Sequence, residues 1–134
     1  MPELIRFRVE KLIRDRLPEL MRSWGLRVTT RQLDPAELIA CLRAKLQEEA
    51  AEVQQAPSRA ALLEELADVT EVVQALCEVS GITPLELEAC RLAKQRERGG
   101  FAAGVYSVEV AAEVGAAAAD YYLARPSTYP RIEE

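Results

Sequence analysis

The sequence contains no histidine. That absence excludes a Ser-His-Asp or Cys-His nucleophile system, a histidine-bearing zinc site and an EExxH di-iron bundle. An enzyme built on this chain has to work with carboxylates and basic side chains. Aromatic residues make up only 5%, which suits a helical bundle better than a sheet-rich barrel. A basic excess is lacking too, since 17 Lys+Arg face 22 Asp+Glu for a net charge of −5. Nucleic-acid polymers require a basic surface and are not expected as partners. No run approaches the roughly 18 apolar residues that span a membrane, so no membrane association is expected. The opening MPELIRFRVEKLIRDR lacks the apolar stretch of a signal peptide. Cys41, Cys77 and Cys90 form no CxxC and read as reduced, buried thiols of a cytoplasmic protein.

The 134 residues are 49% apolar, enough for one folded domain over 1–134. Glycine and proline divide the chain into helical segments. A first helix is expected from about Glu10 to Ser23, closed by Gly25, with Pro18 predicting a kink or a late start. A second begins at Asp34 as N-cap, with Pro35 at N1 and Glu37 at N3, and runs to about Gln55. Ser58 caps a third, which reaches about Val79 before Gly81. Thr83-Pro84-Leu85-Glu86 is a capping box opening a fourth, which ends at Gly99-Gly100. Ala111–Ala124 reads as a further helix despite Gly115. Short strands are expected at most near 27–33 and 101–110, and the tail ARPSTYPRIEE reads as an arm or a frayed end. The fold class is therefore all-α.

Acidic residues concentrate as Glu48-Glu49-Ala50-Ala51-Glu52 in the second helix and Glu65-Leu66-Ala67-Asp68 in the third. Residues three apart share a helix face, so Glu49/Glu52 and Glu65/Asp68 each form a two-carboxylate claw. The linker around Pro57 lets the two helices pack antiparallel, with the claws facing. Four carboxylates on two rigid helices suit a hard divalent cation such as Mg²⁺. The alternative is a set of solvated or Lys/Arg-paired acids. At roughly 100° per residue, Glu49 falls inside the stripe of Leu38, Leu42, Leu46 and Val53. Glu65 and Asp68 share the flank of Val72 and Val79, beside a stripe of Leu62, Leu66, Val69, Val73 and Leu76. Glu64, Glu71 and Glu78 fall on the opposite, solvent face. An unpaired carboxylate in an apolar seam costs several kcal/mol unless a cation compensates it.

These residues resemble the all-α nucleoside triphosphate pyrophosphatases, the MazG-like superfamily, and within it the small phosphoribosyl-ATP-pyrophosphohydrolase-like house-cleaning branch. The resemblance rests on the acids above, on Lys11-Leu12-Ile13-Arg14-Asp15-Arg16-Leu17-Pro18, on Lys45-Leu46-Gln47, and on Lys94 followed by Glu97-Arg98-Gly99-Gly100-Phe101. It covers roughly 9–108, leaving 109–134 as a C-terminal extension. It implies a four-helix core completed by dimerisation, in a homodimer or homotetramer. It implies hydrolysis of a nucleoside triphosphate between the α and β phosphates, with Mg²⁺, or alternatively Mn²⁺, held by Glu49, Glu52, Glu65 and Asp68. Glu48 would bind a second metal, or orient and deprotonate the attacking water. Lys45, Lys94, Arg98, Lys11 and Arg14 are the candidate phosphate contacts, each otherwise a solvated charge or an ion pair. Asp15 is expected to orient an arginine. Phe7, Trp24 and Phe101 are expected in core or interface packing rather than on a base. Two other readings remain at this point: phosphoribosyl-ATP pyrophosphohydrolase of histidine biosynthesis, and a non-catalytic helical dimer that binds nucleotide or a partner.

Overall fold

The computed structural model describes residues 2–133. Among them are five helices and no strand: α1 (Leu17–Ser23), α2 (Pro35–Gln55), α3 (Arg59–Val79), α4 (Pro84–Arg98) and α5 (Ala117–Leu123). No helix among the described residues is long and apolar enough to cross a membrane. The chain divides into two compact units, Met1–Lys94 and Gln95–Glu134.

Local chemistry sets the helix limits. Glu37 N–H donates to Asp34 Oδ1 at 2.8 Å while Glu37 reaches back to the Asp34 N–H, the expected capping box of α2. Ala61 N–H donates to Ser58 Oγ at 3.2 Å to start α3. Thr83 and Glu86 make the reciprocal pair that opens α4. Each such cap satisfies donors that the first helical turn leaves without a partner. The late start at Pro18 is realised, since α1 begins only at Leu17. Its end is the Gly25 turn at φ +89, a conformation that favours glycine.

Three expectations change here. Segments 27–33 and 101–110 form no strand, because neither pairs with a second extended segment among the described residues; Val28 O accepts from Arg22 Nη2 and Phe101 O from Gly104 N–H instead. The last helix starts at Ala117 rather than Ala111, because Gly115 at φ +84 breaks the helical path. The tail is not frayed along its length. Thr128 and Tyr129 N–H donate to Arg125 O, folding the chain back so that Tyr129 meets Tyr122 edge-on at 4.9 Å between ring centroids. The Arg125 guanidinium covers the Tyr121 ring at 3.9 Å.

In the first unit α2 packs on α3, joined by the short Ala56-Pro57-Ser58 link, as an antiparallel hairpin. Leu42 and Val72, 5% and 8% exposed, are its buried apolar side chains, and Glu49 at 6% is buried among them. The α2 stripe is as the periodicity predicts, with Leu38, Leu46 and Val53 half-buried. On α3 the predicted stripe holds in part, with Val69, Val73 and Leu76 half-buried. Val72 and the acid-bearing flank turn inward, whereas Leu62, Leu63 and Leu66 are exposed. Phe7, Trp24 and Phe101 are exposed as well, so none is packed in a core of the single chain. Cys41 and Cys77 are half-buried and Cys90 is exposed; all three are free thiols, less buried than expected.

Candidate metal centre

The hairpin positions the acids by counting from its turn. Glu49 and Glu65 lie eight residues to either side of Pro57. Antiparallel packing therefore brings them level, with Glu52 one turn nearer the link and Asp68 one turn further away. The result is a cluster in which Glu49, Glu52, Glu65 and Asp68 each bring one carboxylate oxygen within 4.8 Å of the others. Glu49 is buried, Glu65 and Asp68 are half-buried, and Glu52 is exposed. Glu64, Glu71 and Glu78 face solvent, as the wheel predicts.

Crowding like charges shifts their titration. Burial, then a hydrogen bond with Glu52, pushes the Glu49 carboxyl above its ordinary value. For Glu65 the hydrogen bond with Glu52 comes first and burial second, again raising it. Glu52 thus lies close enough to raise both neighbours. One oxygen of Glu49 (Oε2) and one of Glu65 (Oε2) are buried without a hydrogen-bond donor among the described residues. Orphaned buried acceptors are costly, and here they converge with two further carboxylates. An all-oxygen set of this kind could hold a hard divalent cation, with no soft or imidazole ligand needed.

Three of the five predicted cationic residues gather around these acids. Lys45, at 3.6 Å from Glu48 and 3.5 Å from Glu49, sits one turn before them on α2. Lys11 Nζ reaches Glu48 Oε1 at 3.1 Å, and Arg14 Nη2 reaches Asp68 Oδ1 at 2.6 Å. The Lys11 hydrogen bond holds the Glu48 carboxyl below its usual range, so Glu48 is an ionised group beside the cluster. Lys94 and Arg98 are exposed on α4 and form no ion pair among the described residues. Asp15 likewise forms no ion pair among the described residues; Arg14 pairs with Asp68 of the acid cluster instead of with its sequence neighbour.

One feature was not legible in the sequence. An open depression beside Lys45 and Glu48 is lined by Glu10, Leu12, Cys41 and Ala44. The spacing of Cys41, Ala44, Lys45 and Glu48 on one α2 face is visible in the sequence. The return of Glu10–Leu12 onto that face is not.

An all-helical chain whose central hairpin converges four carboxylates agrees with the MazG-like class of all-α nucleotide pyrophosphohydrolases. The family model described as phosphoribosyl-ATP pyrophosphohydrolase matches residues 17–96, and the chain belongs to that family. The match includes all five acids. A Mycolicibacterium smegmatis protein described only as uncharacterized is 48% identical over 54 residues, which is 40% of this chain and 55% of that protein. The chain therefore spans about half the length of this relative. No solved structure matches the chain.

Proposed function

We propose that the chain hydrolyses a nucleoside triphosphate between its α and β phosphates, giving a nucleoside monophosphate and pyrophosphate. Its role would be house-cleaning of non-standard or excess (d)NTPs in the cytoplasm. The observation that carries this reading is the four-acid cluster with its two orphaned buried oxygens. Glu49, Glu52, Glu65 and Asp68 would hold Mg²⁺, or Mn²⁺ in its place, which when bound supplies neutralising charge to the phosphate oxygens during in-line displacement. Glu48 stays ionised beside Lys11 and offers lone pairs to orient the attacking water and accept its proton. Lys45, Lys11 and Arg14 supply positive charge at the rim of the acids. Lys94 and Arg98, four residues apart and without an ion pair among the described residues, would be further phosphate contacts.

A homodimer or homotetramer is part of the same proposal. A single chain buries few apolar side chains and leaves Leu62, Leu63 and Leu66 exposed on one face of α3. A second copy seated there would complete the core and close the helical bundle.

The description of the family favours a second substrate, phosphoribosyl-ATP, for the same acids and the same bond cleavage. Assaying pyrophosphate release from phosphoribosyl-ATP beside dUTP, dCTP and ITP, with Mg²⁺, decides between them. Release from none of a full set of nucleotides would sink the enzymatic reading and favour a binding module.

A further inference from the structure

Residues 2–16 precede α1 without forming a helix, yet they are tied to both helices of the hairpin. Lys11 pairs with Glu48 on α2 and Arg14 with Asp68 on α3. Both cations are more than half exposed, so neither is fixed by packing. Glu10, immediately before them, has φ +49, a left-handed conformation that a residue with a Cβ adopts only at a cost. The segment is therefore tied to the hairpin by two ion pairs beside half-buried Leu12 and Ile13, against backbone strain at Glu10.

Asp68 belongs to the four-acid cluster, so Arg14 and a divalent cation draw on the same carboxylate. At that range the guanidinium and the cation repel, and the stronger charge prevails. We propose that Lys11–Arg14 is a displaceable clasp: in the metal-free chain Arg14 stands in for the cation at Asp68, and divalent-cation loading expels it. The freed guanidinium is then available to a phosphate. This inference rests on the metal reading given above.

Titration calorimetry with Mn²⁺ on the full chain, comparing Arg14→Ala with Arg16→Ala, tests it. Arg16 is exposed, two residues away, and forms no ion pair among the described residues, so both variants lose one positive charge. Arg14→Ala is expected to bind Mn²⁺ about two- to fivefold more tightly than Arg16→Ala, the worth of one partly exposed ion pair lost from the metal-free state. Trypsin supplies a readout on the wild type: cleavage after Arg14 is expected to accelerate when Mn²⁺ is added, as its side chain leaves Asp68. Affinity in Arg14→Ala equal to or weaker than in Arg16→Ala overturns the clasp while leaving the metal site standing, as does unchanged or slower cleavage. No Mn²⁺ binding by the wild type overturns the metal reading and the clasp together.

Discussion

Glu49 and Glu65 stand level across the α2–α3 seam, eight residues to either side of Pro57, and each has one buried oxygen without a donor among the described residues. Glu52 lies close to both. This arrangement disfavours the metal-free folded chain locally, and a bound cation would reverse the sign of that effect.

Replacing either end of the arrangement separates ligation from folding. Glu49→Gln removes a buried charge but keeps the side-chain shape. Its melting temperature without metal is expected to equal or exceed that of the wild type. Its pyrophosphate release and Mn²⁺ affinity are expected to fall by about a hundredfold or more, the upper end of what losing even an outer partner of a metal site does. Asp68→Asn is expected to lose release and affinity in the same way but to melt no higher than the wild type, because it also gives up the Arg14 ion pair. Thermal unfolding beside a release assay checks both statements, and full activity in both variants would contradict the assignment.

The raised carboxyls of Glu49 and Glu65 fix a pH dependence. Each holds its proton to higher pH in the folded metal-free chain than in the unfolded one. Their contribution to stability is complete below the unfolded value of about 4.3 and is lost as pH rises through the raised folded value. Metal-free protein is therefore expected to melt higher at about pH 5 than at about pH 7; the lowered value of Glu48 acts in the opposite sense, but only as pH falls below about 4.3. Mn²⁺ affinity runs the other way, increasing with pH as the protons leave. Melting curves with and without Mn²⁺ across that range read both effects.

Acids on the solvent face serve as the control. Glu64→Gln, Glu71→Gln and Glu78→Gln are each expected to leave pyrophosphate release unchanged and to alter stability by no more than about 0.5 kcal/mol. A loss of metal affinity in any of them comparable to that of Glu49→Gln would show that the cluster is not the site.

The exposed leucine face predicts assembly. Leu63→Glu together with Leu66→Glu places two charges where a second copy would seat. The wild type is expected to sediment as a dimer or tetramer, and the double variant as a smaller species with a lower melting temperature. A monomeric wild type would remove the basis for a core completed by a partner.

The limits of α2, α3 and α4 were legible in the sequence because they are local. Asp34 with Glu37, Ser58 with Ala61, and Thr83 with Glu86 act within one turn of chain, and the observed hydrogen bonds are the ones the residue types demand. The claw spacing was legible for the same reason, since residues three apart share a helix face wherever that helix goes. The extent of α5 was misjudged because alanine-rich periodicity says nothing of the φ that Gly115 adopts.

What the sequence determined alone was thus the set of helices and the two pairs of acids, both products of short-range geometry. Only the tertiary structure decided which face of α3 enters the seam. Of the stripe that periodicity favours, Val69, Val73 and Leu76 are half-buried beside Val72, Glu65 and Asp68, while Leu62 and Leu66 stay outside. It also decided where the N-terminal cations go. Lys11 and Arg14 look alike in sequence, three residues apart on one segment. The antiparallel hairpin sets Glu48 and Asp68 on different helices within their reach, and long-range attraction draws one cation to each.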